Sequence, residues 1–229
     1  VEWILPDRVG TVVDLGAGTG ALTRLLVGRA ESVIAVEPDS SMRAVLESRV
    51  PEADVREGTG EHLPVADASV DAIVASSSWH WIDPVAGLAE AGRVLVPGGA
   101  MAALWTGPDP DGAFIQQAAA VLTADGPAGS ALQDTVSNTR DPIALVLEVP
   151  DGVPFPPPQH ERFPYVLALT ADQLVGLLST ISWVIVMEPD ARRAVLDTAR
   201  RLLGDAMGIE GDVTAQVEFL CDVYLTRRS

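Results

Sequence analysis

Apolar positions along this chain fall into two alternating periods. Thr11 to Leu15 is a β-branched run with apolar residues on both faces, which suits a strand in the middle of a parallel sheet. After Gly20, Leu22, Leu25 and Leu26 recur at helical spacing and predict a helix to about Ala30 that faces the sheet. Ser32 to Val36 reads as a second strand. Ser40 to Arg49 reads as a helix, with Met42, Val45 and Leu46 at helical spacing and Pro51 beyond its end. Ala53 to Arg56 is a short third strand, and Glu57 to Asp67 a polar connection. Val70 to Ala75 is a fourth strand; Asp83-Pro84 then supplies an N-cap and a first-turn proline for a helix to about Leu95. Pro97-Gly98-Gly99 turns the chain into a fifth strand, Ala100 to Trp105. Strand and helix in strict alternation predict an α/β sheet with helices on both faces.

Beyond Trp105 the pattern changes. Gly107 to Gly112 is turn-rich, Ala113 to Thr123 is helical, and Asp125 to Pro158 has no clear period. Within that stretch the run Pro154-Phe155-Pro156-Pro157-Pro158 must be extended and stiff. Glu161 to Leu169 alternates as a strand, and Thr170-Ala171-Asp172-Gln173 is a capping box that opens a helix to about Thr180. Glu188 to Leu203 is a further helix, and Val213 to Arg227 alternates as a closing strand.

The stretch with the most chemistry is Val12-Val13-Asp14-Leu15-Gly16-Ala17-Gly18-Thr19-Gly20. A strand, a glycine turn and a helix start hold nucleotide-like ligands, because the backbone can approach closely and the helix amides favour an anion. Gly16-x-Gly18-x-x-Ala21 also fits the dinucleotide fingerprint, so a nicotinamide-dependent oxidoreductase is one rival reading. Two acidic residues argue otherwise. Asp14 stands where dinucleotide folds carry an apolar strand residue, and suits a ligand with an ammonium group. Glu37 closes the second strand 21 positions after Gly16, where a carboxylate accepts both hydroxyls of a free ribose diol. Adenosine joined to an amino acid describes S-adenosylmethionine.

With these residues the chain resembles the class I S-adenosylmethionine-dependent methyltransferases, and within them the small-molecule subgroup typified by trans-aconitate methyltransferase. The likeness rests on five stretches in order: Asp14 to Gly20; Glu37-Pro38; Gly58-Thr59-Gly60-Glu61-His62-Leu63-Pro64; Trp79-His80-Trp81-Ile82-Asp83; and Arg93-Val94-Leu95-Val96-Pro97-Gly98-Gly99. It implies a Rossmann-like, doubly wound, seven-stranded sheet, mostly parallel with an antiparallel edge strand. It also implies a cofactor core over 1–106, a cap or insertion over the acceptor pocket at 107–160, and completion of the sheet by 161–229, all within one structural domain. An N-terminal segment folding over the cofactor is expected ahead of Val1.

By the same resemblance, Asp14, Gly16, Ala17 and Gly18 hold the methionyl part of the cofactor, and Glu37, Pro38 and Met42 lie at the ribose. Thr59, Gly60 and Glu61 run past the adenine. Many members carry an acidic residue where Thr59 stands and alanine where Gly60 stands, a departure that bears on the adenine hydrogen bond but not on where the loop runs. Strand ends gather at the switch in strand order, so Ser76 to Trp81 are expected beside the methyl group, with Ser76 and Ser77 among the cofactor contacts.

Composition narrows the acceptor. The formal charge is −17, and every basic residue is an arginine. Such a field repels phosphate backbones and excludes nucleic acid as partner. No apolar run approaches the roughly 18 residues of a membrane span, and no signal peptide is visible. The single cysteine, Cys221, fits a reducing, cytoplasmic setting and a buried filler role. Three scattered histidines and one cysteine build no closed zinc site.

Methyl transfer from a sulfonium asks the protein to hold acceptor and methyl in line and to exclude water. A base is needed only where the acceptor must lose a proton; a carboxylate needs none. His80 is the histidine the motifs bring to the methyl, either as base or hydrogen-bond donor, or as a cap holding Trp79 and Trp81. Trp79, Trp81 and Trp105 are candidate acceptor contacts, although Trp105 and Trp183 are equally at home in a core. His62 reads as a surface or capping residue. His160 and Arg162 can meet an acceptor carboxylate or lie in a solvated loop. The sequence therefore predicts methyl transfer to a carboxylate or hydroxyl of a small metabolite or natural product, with oligomeric state open. A second rival is a non-catalytic protein that binds S-adenosylmethionine without transferring its methyl.

Overall fold

A computed structural model describes residues 1–5, 7–124, 145–180 and 182–229. Seven strands form one sheet: β1 (Val9–Leu15), β2 (Ala30–Val36), β3 (Asp54–Arg56), β4 (Val70–Ser76), β5 (Leu95–Pro108), β6 (Gln159–Thr170) and β7 (Thr214–Arg227), in the order β3-β2-β1-β4-β5-β7-β6. β1 pairs parallel with β2 and β4, β2 with β3, and β4 with β5. β7 runs the other way: Gly98 N–H donates to Arg228 C=O, while Asp109 N–H, just beyond the end of β5, donates to Glu218 C=O. This is the expected methyltransferase-type sheet, with its antiparallel strand one place in from β6.

The chain divides into two compact units. The first gathers Val1–Thr106, the stretch that ends at Phe163, and Cys221–Ser229; the second gathers the residues that follow Thr106 and Pro164–Leu220.

In the first unit alternate residues of each central strand feed two separate cores, the physical content of a strand that is apolar on both faces. Val13, Leu15, Ile34, Val36, Ile73, Ala75, Met101 and Ala103 go to one core, and Val12, Val33, Ala72, Val74, Ala100 and Ala102 to the other. The helix after Gly20 is shorter than its periodicity predicts. Only α1 (Thr23–Leu26) is helical, because Gly28 takes a positive φ and Val27 already bridges to Ala30. One turn brings two of its leucines inward, so Leu22 and Leu26 are buried and Leu25 is exposed.

Helix α2 (Ser40–Arg49) has the predicted bounds and is capped by Asp39, which accepts from Ser41 and Met42 N–H, both at 2.9 Å. Of its three residues at helical spacing only Leu46 is buried, against Ala17, Ala35 and Val50; Met42 and Val45 face water. Helix α3 (Pro84–Val94) starts from the predicted Asp83 cap. Pro97-Gly98-Gly99 does not break the chain before the fifth strand. It forms an irregularity inside β5, where Leu95 pairs with Val70 and Ala100 already pairs with Ala72.

The aperiodic stretch Asp125 to Pro158 is described only from residue 145 onward. Within it Leu147 and Phe155 are buried in the same core as Ile73 and Met101.

In the second unit lie α4 (Ala113–Ala124), α5 (Ala171–Ser179), α6 (Ser182–Ile185) and α7 (Pro189–Asp205). The capping box of α5 is present in both directions, Thr170 to Gln173 and back. Leu169, Val217 and Phe219 pack with Phe114 and Leu174, and Leu202 packs with Leu178 and Val195. The side chain of Trp183 lies outside the described residues.

Leu147 is 1% exposed, so Leu147→Ala must leave a cavity. A loss of about 2–5 kcal/mol in urea unfolding is expected; a loss below about 1 kcal/mol would mean that this stretch does not pack as described.

Candidate functional site

The parallel register brings the carboxyl ends of β1, β2 and β4 together, with Leu15 opposite Val36 and Asp14 opposite Val74. β1 leaves the sheet through Gly16, Ala17 and Gly18. Gly16 N–H donates to Val36 C=O at 2.8 Å and Ala17 N–H to the same oxygen at 3.1 Å, which pins the turn to the end of β2. Gly16 and Gly18 both have positive φ, +68° and +56°, yet they serve different needs. A Cβ on Gly16 would run into the side chain of Ser78, whose hydroxyl donates to Leu15 C=O at 2.5 Å. A Cβ on Gly18 would meet no protein atom within 4 Å. Gly16 makes room for Ser78, whereas Gly18 borders open space.

Asp14 is 1% exposed on β1. Its Oδ2 accepts from Thr23 Oγ1 at 2.6 Å, and its Oδ1 has no partner among the described residues. Burial pushes this carboxyl up to about 7; the Thr23 hydrogen bonds oppose that, and the neighbouring charge of Glu37 adds to it. The sign follows from linkage. The folded state holds this proton more tightly than an unfolded aspartate with a pKa near ~3.9 does, so Asp14 weighs increasingly against folding as pH rises from there through about 7. A cation or ammonium at Oδ1 reverses that balance by favouring the carboxylate.

Glu37, 6% exposed, takes Gly18 N–H on Oε2 and Asp39 N–H on Oε1, both at 2.9 Å. It thereby joins the glycine turn to the segment that opens α2. Arg43 ties the same corner from α2, donating to Glu37 C=O at 2.9 Å, to Pro38 C=O at 2.7 Å, and to Glu57 at 2.7 Å. Met42 is exposed on the first turn of that helix.

In the loop after β3, Thr59 is exposed, while a Cβ on Gly60 would press into Ile82. Glu61 is occupied: its carboxylate accepts Asp83 N–H at 3.0 Å and a bond from the Thr59 side chain. These three residues thus form a strut to the start of α3 as well as lying where a nucleobase loop is expected.

β4 ends in Ser76, half-buried, and Ser77, exposed and at φ +52°. A non-glycine residue there stores roughly 1–3 kcal/mol of strain, a feature that clusters at ligand sites. The 3-10 turn Trp79–Trp81 follows. Trp79 (3% exposed) and Trp105 (6%) are buried in the core shared with Leu88, and Trp81 is 74% exposed. Trp105 Nε1 donates to His80 Nδ1 at 3.3 Å. An indole N–H can only donate, so His80 accepts at Nδ1 and carries its proton on Nε2. Burial lowers the pKa of His80 and keeps the ring neutral.

Two residues in this arrangement, Thr23 and Arg43, have no place in the reading of the sequence, and Ser78, expected near the methyl group, has there no role as a tie to Leu15. Thr23 had a signal, since it sits three residues before Leu26 on the face that turns inward. Ser78 and Arg43 act through backbone carbonyls, which no side-chain pattern reveals. Among the described residues no group of three or more metal-ligating side chains occurs, and no helix is long and apolar enough to cross a membrane.

A methyltransferase-domain family model matches residues 13–103, from β1 through β5. An uncharacterized methyltransferase of Mycobacterium tuberculosis is 33% identical over 203 residues, which cover 89% of this chain and 77% of that protein. The chain belongs to the methyltransferase family. Two solved structures carry the same fold at lower identity. A putative type II methyltransferase from Anaeromyxobacter dehalogenans has a TM-score of 0.66 and 22% identity, over 99% of this chain and 92% of that one. Geranyl diphosphate C-methyltransferase from Streptomyces coelicolor, solved with S-adenosyl-L-homocysteine, has a TM-score of 0.52 and 16% identity, over 99% and 75%. This methyltransferase is S-adenosylmethionine-dependent, and the oxidoreductase and non-catalytic readings fall away. The orphaned Oδ1 of Asp14 and the open space at Gly18 fit that cofactor's ammonium group and backbone-hugging tail.

The two glycines separate fold from ligand. Alanine at either position costs roughly 1–2 kcal/mol of left-handed strain. Gly16→Ala is expected to lose distinctly more in urea unfolding because Ser78 must move. Gly18→Ala is expected to stay folded and to bind S-adenosylhomocysteine at least tenfold more weakly; unchanged affinity in calorimetry would place the cofactor elsewhere.

Proposed function

We propose that this methyltransferase acts on a small molecule and methylates an oxygen of it, a carboxylate in preference to a hydroxyl, by in-line displacement. The observation that carries this reading is the hydrogen bond from Trp105 Nε1 to His80 Nδ1. It leaves His80 one free polar atom, an Nε2–H, which donates to an acceptor oxygen and cannot remove a proton from it. A hydroxyl acceptor needs a base, whereas a carboxylate arrives ionised. His80 then orients the acceptor by holding one carboxylate oxygen while the other faces the methyl. The net charge of −17 supports a small acceptor over a nucleic acid.

Around the cofactor, Asp14 takes the ammonium of the methionyl part on Oδ1, with Gly16, Ala17 and Gly18 along it. Glu37, Pro38 and Met42 lie at the ribose, Thr59, Gly60 and Glu61 at the adenine, and Ser76 and Ser77 toward the reacting end. When bound, S-adenosylmethionine supplies a methyl group already activated by the sulfonium. The protein contributes position and the exclusion of water. Glu37 keeps its two backbone amides and accepts sugar hydroxyls on its remaining lone pairs.

Pooled carboxylic acids, phenols and alcohols are offered with methyl-labelled cofactor. With cofactor saturating at every pH, so that the titration of Asp14 does not enter, carboxylates are expected to be labelled with a kcat/KM that is flat from pH 7 to pH 9, since His80 is neutral throughout. His80→Ala is expected to lower kcat/KM on the order of 10- to 100-fold, as loss of a hydrogen bond to a charged group predicts, and His80→Gln to recover part of it. Cofactor affinity stays within twofold in both. Normal turnover by His80→Ala, or a rate that climbs with pH above 7, would contradict the reading.

A further inference from the structure

His80 owes its state to a ring that is itself held from behind. Trp105 of β5 is 6% exposed and gives its Nε1–H to His80 Nδ1. The same indole meets Tyr224 of β7 edge-on, with centroids 5.9 Å apart and planes at 78°. Tyr224 packs against the core that holds Trp105 and stacks on His160 of β6, at 4.4 Å and 10°. His160 Nε2 lies 2.7 Å from Asp222 Oδ1, to which Arg162 Nε donates at 2.9 Å. β5 and β6 flank β7 in the sheet, so Trp105 and His160 reach Tyr224 from opposite sides. Trp105, Tyr224 and His160 thus form a row across three strands, with His80 at one end.

Each contact in the row constrains the next. An indole can take two orientations about its Cβ–Cγ bond. Turned over, Trp105 would carry Nε1–H away from His80 and shift the bulk of its ring across that bond, giving up the contact with Tyr224 as well. Edge-to-face ring pairs are directional, and the stack on His160 limits how far Tyr224 can turn to follow.

The row matters because the place of one proton on His80 decides what the site accepts. With the proton on Nε2, the nitrogen that faces away from Trp105 donates to an ionised oxygen. With the proton on Nδ1, the same nitrogen is a base. It takes the proton of a hydroxyl, the oxygen's electron pair forms the bond to the methyl carbon, and the C–S pair returns to sulfur.

We propose that Trp105 is the specificity-determining residue of this site and Tyr224 its positioning residue: the tyrosine ring keeps the indole N–H on His80 Nδ1, and so keeps His80 a donor to ionised acceptors rather than a base for hydroxyls. His160, braced by Asp222, supports the tyrosine ring. This rests on the reading above of His80 as the group that meets the acceptor, and deepens it.

Long-range 1H–15N correlation on the full, histidine-labelled chain with saturating S-adenosylhomocysteine reads the tautomer without any acceptor. The sequence has three histidines, and His80→Gln assigns the one in question. At pH 8 the parent is expected to show a pyrrole-type Nε2 and a pyridine-type Nδ1. Trp105→Phe and Tyr224→Ala move both signals toward each other as Nδ1–H becomes populated, whereas Tyr224→Phe, which keeps the ring, retains the parent signals. Trp105→Phe also gains kcat/KM toward phenols, roughly fivefold or more, as a newly available base predicts. A proton on Nδ1 in the parent, signals that neither Trp105→Phe nor Tyr224→Ala moves, or no gain toward phenols overturns the proposal. Should Tyr224→Ala not fold, Tyr224→Leu, which fills most of the space, takes its place. Carboxylate methylation is scored separately. A tautomer that follows Trp105 and Tyr224 in a protein that never methylates a carboxylate sinks the carboxylate reading and leaves this hold on His80 standing. Carboxylate methylation with a tautomer indifferent to both residues does the reverse.

Discussion

A carboxyl group with one oxygen bonded to Thr23 and the other without a partner among the described residues is the constraint around which this site is arranged. Burying a carboxylate without full satisfaction costs free energy, and the protein meets that cost by raising the pKa of Asp14 to about 7. An apolar residue at this point of β1 would make the ligand-free fold more stable. What Asp14 provides instead, on the proposed reading, is a carboxyl ready to take a positive group at the glycine turn. Binding of such a group would then be coupled to folding through one proton.

The rest of the first unit can be understood as scaffolding for that point. Parallel pairing brings three strand ends to one edge, and three ties then fix the loops leaving them. Ser78 fastens the end of β4 to the end of β1; Glu37 fastens the glycine turn to the start of α2; Arg43 fastens the end of β2 to the loop after β3. The Ser78 and Glu37 ties run through backbone carbonyls or amides, and Arg43 holds the carbonyls of Glu37 and Pro38 while reaching the loop after β3 through the Glu57 carboxylate. Catalysis by positioning needs this kind of over-determination, because a displacement of an ångström at the acceptor is expensive.

Much of this was legible in the order of residues. β1, β2 and β4 could be placed because a strand buried on both faces is apolar throughout, and the caps at Asp39, Asp83 and Thr170 are local chemistry. Asp14 and Glu37 stood out as acids closing apolar runs. The order of residues is least informative where tertiary context decides. Leu25, Met42 and Val45 have helical spacing, but short or edge-lying helices leave them in water. The stretch containing Leu147 and Phe155 has no period because it buries single residues from an irregular backbone. Gly16 and Gly18 look alike in sequence and differ only through Ser78, more than sixty residues away. Likewise, the tautomer of His80 depends on Trp105, which arrives from another strand.

The most direct measurement concerns the positive group that the proposed reading sets against Asp14. Titration of S-adenosylhomocysteine by calorimetry near pH 7, in two buffers of different ionisation enthalpy, reports protons exchanged on binding. The account predicts that binding releases close to half a proton at pH 7, less at pH 8.5, and none in Asp14→Asn. Tight binding with heats independent of buffer at pH 7 would contradict it, because the ligand's ammonium would then not be facing Asp14.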